Sequence, residues 1–266
     1  MGKNVLIKIE YDGTNFSGWQ KQPHQRTVQG EIEHVLKYIA MEDVPIHGTS
    51  RTDAGVHALG QCASFDWNSN MPVEKLPEVM NRRFGAGGTG RSGAPGDIRI
   101  LSAEVMDESF HARYSCKGKT YMYLIDKTGD IFRRNLAFQY PEACNLDIGE
   151  MRRAAAYIVG THDFKCFETS GGTPRETTVR TVSALDITED DDTIRLEITG
   201  DGFLYNMVRI ITGTLVEVGD GRKNADDLPG IIESRSRANA GFTAPPQGLY
   251  LKEIYFQGNK ETQCIK

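Results

Sequence analysis

The sequence predicts an antiparallel α+β fold, and three observations carry that expectation. Strand-like and helix-like segments interleave without the steady strand–helix–strand rhythm of a doubly wound sheet. Two strand-like segments flank a short acidic turn, Glu189-Asp190-Asp191-Asp192, as antiparallel neighbours do. Each half of the chain offers a strand, a helix and further strands, with no proline- and glycine-rich linker between the halves.

The elements follow in order. Residues 4–11 (NVLIKIEY) alternate and are rich in β-branched side chains, so they read as a strand, broken by Asp12-Gly13. Val28, Ile32, Val35, Leu36 and Ile39 recur at helical spacing, and Thr27 stands where an N-cap belongs. Residues 47–60 read as a loop dense in glycine, serine and threonine, and 61–67 as a strand. Residues 74–83 suit a helix. Residues 84–96 (FGAGGTGRSGAPG) hold six glycines and no periodicity, which predicts a mobile surface loop. They lack the GxxxxGK[ST] pattern of a phosphate cradle.

Strands are expected at 98–105 and 119–125, and an amphipathic helix at 147–159, closed by Gly160. A strand pair follows at 179–187 and 193–199. An apolar helix is expected at 204–218, closed by Gly219, then a short helix at 226–234 and a last strand at 248–255.

With 266 residues, 39% hydrophobic and 25% charged, the chain suits one large domain or two smaller ones sharing a core. No apolar run approaches the ~20 residues of a membrane helix. Residues 1–4 run straight into a strand-like segment without the apolar core of a secretory signal, so a cytoplasmic setting is expected. The five cysteines form no CxxC pair and the six histidines no HExxH, so neither a disulfide framework nor a metal site is expected.

The net charge of −5 does not advertise a nucleic-acid binder, yet its distribution is uneven. Residues 1–133 carry sixteen basic and sixteen acidic groups, and residues 82–127 carry eight against five. An acidic protein can still hold RNA when its basic groups share a face, because phosphate contacts act within a Debye length.

Three places could carry chemistry. Arg51, Asp53 and His57 stand within seven residues among Gly48, Ala54, Gly55 and Ala58. An arginine keeps a neighbouring carboxylate ionised, and an ionised carboxylate can serve as nucleophile or base; a loop salt bridge explains the same pattern. Tyr121 and Tyr123 share a strand face, with Lys117 and Lys119 of the same parity. Such a face can stack bases and neutralise phosphates, or it can pack into the core with its lysines at the wet end. Arg209 sits among Met207, Val208, Ile210 and Ile211, where it needs either a carboxylate partner or a route to the surface. His57 and His162 have no triad around them and read as structural.

The segment Ser50-Arg51-Thr52-Asp53-Ala54-Gly55-Val56-His57-Ala58 resembles the active-site signature of the bacterial tRNA pseudouridine synthase A family. In family order come Tyr11-Asp12-Gly13 with Gly18-Trp19-Gln20, Phe110-His111-Ala112-Arg113, Lys119-Thr120-Tyr121-Met122-Tyr123, Gly160-Thr161-His162-Asp163-Phe164, Met207-Val208-Arg209, and Ala244-Pro245-Pro246 with Gly248-Leu249-Tyr250-Leu251.

The resemblance implies two similar α+β domains around a central, mainly antiparallel sheet with a positively charged catalytic cleft, here divided near 1–105 and 106–266. It implies a homodimer that isomerises uridine to pseudouridine at positions 38, 39 or 40 of the tRNA anticodon stem-loop, with no cofactor and no metal. By position, Asp53 matches the catalytic aspartate, and Arg209 the arginine that pairs with it. Tyr121 matches the tyrosine that stacks on the target uracil, Arg51 the base-flipping arginine, and Leu249 an apolar pocket residue. Arg113, Lys117 and Lys119 are expected to contact RNA.

Two departures stand out: Ser50 replaces the signature's usual leading glycine, and residues 84–96 are longer than the family's usual link. A synthase acting on another RNA, or an RNA-binding protein that kept the fold, are the competing readings.

Overall fold

Alternation in the first strand sets the architecture of the N-terminal part. In the computed structural model, which describes residues 2–85, 96–171 and 176–256, β1 (Lys3–Tyr11) buries Val5, Ile7, Ile9 and Tyr11 on one face. It lies between β3 (His57–Trp67) and β4 (Ile98–Met106), antiparallel to both, with Val5 opposite Phe65 and Val105. The two-residue β2 (His47–Gly48) pairs with β3.

Two helices supply the apolar partners of this part. α1 (Val28–Ala40) buries Val28, Ile32, Val35 and Leu36, and the Thr27 hydroxyl caps it by accepting the Gly30 amide. α2 (Leu76–Phe84) buries Leu76 and Met80. Asn81 of α2 bonds the backbone of β4 in both directions, donating to the Ile100 carbonyl at 2.9 Å and accepting its amide at 2.7 Å. Leu6, of opposite parity in β1, joins Cys62 and Ala112 in a small second cluster.

The chain divides into two compact units, residues 1–118 with the chain from 251 onward, and residues 119–250. In the second unit, residues 119–126 of β5 (Cys116–Asp126) pair antiparallel with β9 (Thr193–Gly200), β9 with β8 (Val179–Glu189), and β8 with β7 (Gly160–Asp163). The short β6 (Phe138–Gln139) runs parallel to β5. α3 (Ile148–Ile158), capped by Asp147, buries Met151, Ala154, Ala155 and Ile158. α4 (Met207–Gly219) is buried along almost its whole length, and α5 (Leu228–Ser234) buries Leu228, Ile231 and Ile232. β10 (Leu249–Phe256) closes the described chain. Its strands are mainly antiparallel, the α+β class expected.

Several boundaries differ from the sequence expectation. β3 begins at His57, not at 61, because His57 and Ala58 are already buried and Ala58 pairs with Tyr11. The apolar pattern of α4 extends back to Leu204, but Asn206 takes a left-handed backbone (φ 61°), so the helix starts at Met207. Gly160 follows α3 as expected and also opens β7 with φ 128°. The helix expected from 74 opens as a 3₁₀ turn over Val73–Lys75. Most of the glycine-rich stretch 84–96, and Cys264, lie outside the described residues. None of the described helices is long and apolar enough to cross a membrane.

Candidate active site

The signature loop joins β2 to β3, and hydrogen bonds hold it from both ends. Thr49 donates its amide and its hydroxyl to the Cys62 carbonyl at 2.9 and 3.0 Å. The fully buried Gln61 donates to the Ser50 carbonyl at 2.7 Å. Further along, the Thr52 carbonyl accepts the Trp19 amide at 3.0 Å, and the Thr52 hydroxyl meets the Tyr11 phenol at 2.7 Å, both buried. Asp53 then opens a tight turn in which Val56 donates to the Asp53 carbonyl at 3.1 Å. Gly55, third in that turn, has φ 77°, a conformation that favours glycine. The half-buried Asp53 is thus the first residue of a turn whose flanks cannot drift.

Two glycines let the neighbouring segment approach this loop. A Cβ at Gly13 would stand 2.1 Å from the Val56 carbonyl oxygen, and one at Gly18 2.7 Å from that of Thr52. No side chain fits at either place. The motifs Tyr11-Asp12-Gly13 and Gly18-Trp19-Gln20 therefore act physically as the wall against which the signature loop is cast.

His57, only 1% exposed, closes the loop. Its Nδ1 lies 3.1 Å from the Gly13 amide and 3.2 Å from Asp12 Oδ1. As a bare nitrogen it accepts from Gly13; carrying a proton it donates to Asp12. The contact with His57, aided by the Thr14 hydroxyl and amide and opposed by partial burial, holds the Asp12 carboxyl well below the ordinary carboxylate range. His57 thus ties the end of the loop to the Asp12-Gly13 segment.

The second unit carries the other matched residues. Tyr121 and Tyr123 lie on β5, opposite Ile198 and Leu196. Tyr123 is wholly buried and Tyr121 keeps 7% of its surface exposed, so neither ring stands out into bulk solvent. Phe203 meets the Tyr121 ring edge-on at 5.3 Å. Tyr123 donates its hydroxyl to the Pro245 carbonyl at 2.7 Å, and burial pushes its phenol far above the ordinary value.

Arg209 stands in the first turn of α4. Its Nε donates to the Ala244 carbonyl at 2.6 Å and its Nη1 to Asn206 Oδ1 at 2.8 Å, while Ala244 returns its amide to the Arg209 carbonyl. The guanidinium is therefore fixed in direction, not carried out along the helix surface. Asn206 donates in turn to the Thr169 hydroxyl at 2.8 Å.

Asp53, the exposed Arg51, Arg113 and Lys117 belong to the first unit; Tyr121, Lys119, Arg209 and the buried Leu249 belong to the second. Sequence reasoning missed Asn206. The signal was faint: an asparagine three residues before a helical arginine, at a point where only asparagine or glycine turns left-handed with ease. It also passed over Tyr11 and Gly13 as more than motif markers.

Among the described residues, no group of three histidine, cysteine, aspartate or glutamate side chains is placed to hold a metal ion.

Comparison with known proteins names this arrangement. The family model described as tRNA pseudouridine synthase matches residues 7–115 and 154–257. Among curated proteins, tRNA pseudouridine synthase A of Acetivibrio thermocellus is 47% identical over 257 residues, 96% of this chain and all of its own length. tRNA pseudouridine synthase A of Thermoanaerobacter sp. (strain X514) is 45% identical over 262 residues, and tRNA pseudouridine synthase A 2 of Clostridium tetani 44% over 261, with the same coverage. On a family match over most of its length and relatives covered from end to end, the chain belongs to the tRNA pseudouridine synthase family and is an RNA pseudouridine synthase, an isomerase.

Proposed function

We propose that this chain isomerises uridine to pseudouridine in tRNA, at positions 38, 39 or 40 of the anticodon stem-loop, with Asp53 as the nucleophile. The observation that carries the proposal is the fixed loop: Asp53 opens a glycine turn whose flanks are held by Gln61, Tyr11 and Trp19. A carboxylate held in this way loses little freedom when it reacts, which is what positioning contributes to a rate. The names of the relatives support tRNA as the substrate.

The chemistry conserves every atom. The target base leaves its stack at a cost of a few kcal/mol. The bond from uracil N1 to ribose C1′ breaks, the base turns, and a bond from C5 to C1′ forms. One proton leaves C5 and one arrives at N1. Asp53 assists the first cleavage. Arg209, its direction set by Asn206 and Ala244, pairs with Asp53 and keeps it ionised. Tyr121 stacks on the uracil, Arg51 takes part in flipping, and Leu249 lines the apolar side of the pocket. Arg113, Lys117 and Lys119 contact RNA. The working form is a cytoplasmic homodimer.

The test uses tRNA lacking modification. The wild-type protein is expected to form pseudouridine at 38–40, read base by base, and Asp53→Ala to bind tRNA without forming it. Full activity in Asp53→Ala overturns the nucleophile. Pseudouridine confined to other positions overturns the target, and a monomer in sedimentation at working concentration overturns the dimer.

A further inference from the structure

At the foot of the signature loop lies a row of three rings that none of the assigned roles uses. His47 and His111 stand with ring centroids 4.9 Å apart and planes 30° apart; His111 and Tyr114 stand 4.4 Å and 37° apart. The row ends on Tyr114, whose side is 75% exposed, and the Arg113 guanidinium lies 6.0 Å from the Tyr114 ring centre.

The row is rigid. His111 and Tyr114 sit in a turn closed by the Tyr114 and Ser115 amides on the His111 carbonyl, at 3.0 and 2.8 Å. The His111 amide is taken by the Ser115 hydroxyl, and its ring Nδ1 accepts the Arg113 amide at 3.2 Å, which fixes the ring plane. His47 is held by β2 opposite Ser64, and Ser64 in turn accepts the Ala112 amide at 3.0 Å.

The row is also joined to the nucleophile loop. Thr49, two residues after His47 and one before Ser50, shares its hydroxyl proton between the Cys62 carbonyl at 3.0 Å and the Ala112 carbonyl at 3.2 Å. An unbroken run of short contacts leads from the exposed ring to the first residue of the signature.

The charge suits an anion. Residues 111–120 carry Arg113, Lys117 and Lys119 and no acidic group. Burial and the neighbouring His47 hold the His111 imidazole below its ordinary value, so at neutral pH it presents a flat neutral face. A rigid aromatic face ending in solvent, with a guanidinium beside it, is what an unstacked nucleotide binds: the base stacks and the phosphate is neutralised.

We propose that His47, His111 and Tyr114, with Arg113 beside them, form a stacking platform for an unpaired nucleotide of the RNA substrate other than the one being isomerised. The proposal rests on the reading that tRNA approaches the signature loop. It commits to RNA over a protein partner because the exposed end of the row joins an aromatic face to the Arg113 guanidinium, in a stretch of sequence without acidic groups.

The experiment compares wild type with Tyr114→Ala, Tyr114→Trp and Arg113→Ala, measuring tRNA affinity by anisotropy across a salt series and pseudouridine formation in parallel. Tyr114 is exposed, so its variants are expected to fold. Tyr114→Ala is expected to weaken tRNA binding roughly 5- to 150-fold, the range for losing one stacked base, with kcat/KM falling in step. Tyr114→Trp is expected to restore binding. Arg113→Ala is expected to flatten the salt dependence by about one ion. Wild-type affinity in Tyr114→Ala overturns the platform while leaving the isomerase reading intact, since pseudouridine would still form. A change in sedimentation with unchanged tRNA affinity assigns the row to a protein contact and also overturns it. Absence of tRNA isomerisation in the wild type is a separate result, and sinks the proposed function itself.

Discussion

Replacing Asn206 should separate the direction of Arg209 from the fold that carries it. Three local terms are at stake. The hydrogen bond from Arg209 Nη1 to Asn206 Oδ1, at 2.8 Å and part-buried, is charge-assisted and of order 1.5–3 kcal/mol. The bond from Asn206 Nδ2 to the Thr169 hydroxyl is neutral, of order 0.5–1.5 kcal/mol. The left-handed backbone at φ 61° costs an alanine roughly 1–2 kcal/mol and a glycine nothing.

Asn206→Gly therefore keeps the backbone and loses both side-chain bonds, whereas Asn206→Asp keeps the acceptor for Arg209 and loses only the donor to Thr169. Under the proposed role of Arg209, single-turnover pseudouridine formation should fall roughly 10- to 150-fold in Asn206→Gly, the kinetic equivalent of one charged hydrogen bond. It should stay near wild type in Asn206→Asp. In denaturant unfolding, Asn206→Ala should be about 1 kcal/mol less stable than Asn206→Gly. An Asn206→Gly enzyme working within twofold of wild type would refute the reasoning. So would equal losses in Asn206→Gly and Asn206→Asp.

Three further outcomes are expected. Gly13→Ala forces a Cβ toward the Val56 carbonyl oxygen, 2.1 Å away, so the turn carrying Asp53 must shift; turnover should fall further than tRNA affinity, and unchanged turnover would show that the turn tolerates displacement. The Asp12 carboxyl titrates below its ordinary 3.8 in the folded chain, so it adds stability above that pH and loses it on acidification; Asp12→Asn should lower stability at neutral pH and flatten the decline below about pH 4, as read by unfolding across pH. Burial pushes the thiols of Cys62 and Cys166 up to about 12, so a thiol reagent on native protein should label the exposed Cys144 and spare these two until unfolding.

What could be read in the sequence follows from which forces act locally. The period-two burial of β1 and the helical spacing of α1 are local patterns, and both elements stand within a residue or two of expectation. Thr27 caps α1 as its position suggested, because a cap is a short-range bond, whereas Asp147, read as the first residue of its helix, is that helix's cap. The start of α4 was not legible, because the apolar run continues to Leu204 and only the backbone of Asn206 interrupts it. The face of β5 was ambiguous for a related reason. Tyr121 and Tyr123 alternate in the same way whether they meet solvent or core, and what decides is the packing of Phe203, Pro245 and Gly248, which come some 80 to 125 residues later in the chain.

The signature loop shows why motif spacing carries structural information. A glycine turn of small residues has little to pack, so the backbone flanking Asp53 is set from outside the turn. The position comes from residues about forty earlier: Tyr11 on the Thr52 hydroxyl, Trp19 on the Thr52 carbonyl, and Gly13 against Val56. Each contact is backbone-close, so each demands a particular residue type, either a glycine that admits the approach or a phenol that spans the gap. A loop held in this way should respond to its wall as strongly as to its own sequence. Tyr11→Phe removes one buried hydrogen bond and leaves the Thr52 hydroxyl to find another partner, a loss of order 1–3 kcal/mol. If that loss appears in turnover as well as in unfolding, the wall positions Asp53. If it appears in unfolding alone, Tyr11 merely supports the core beneath the loop.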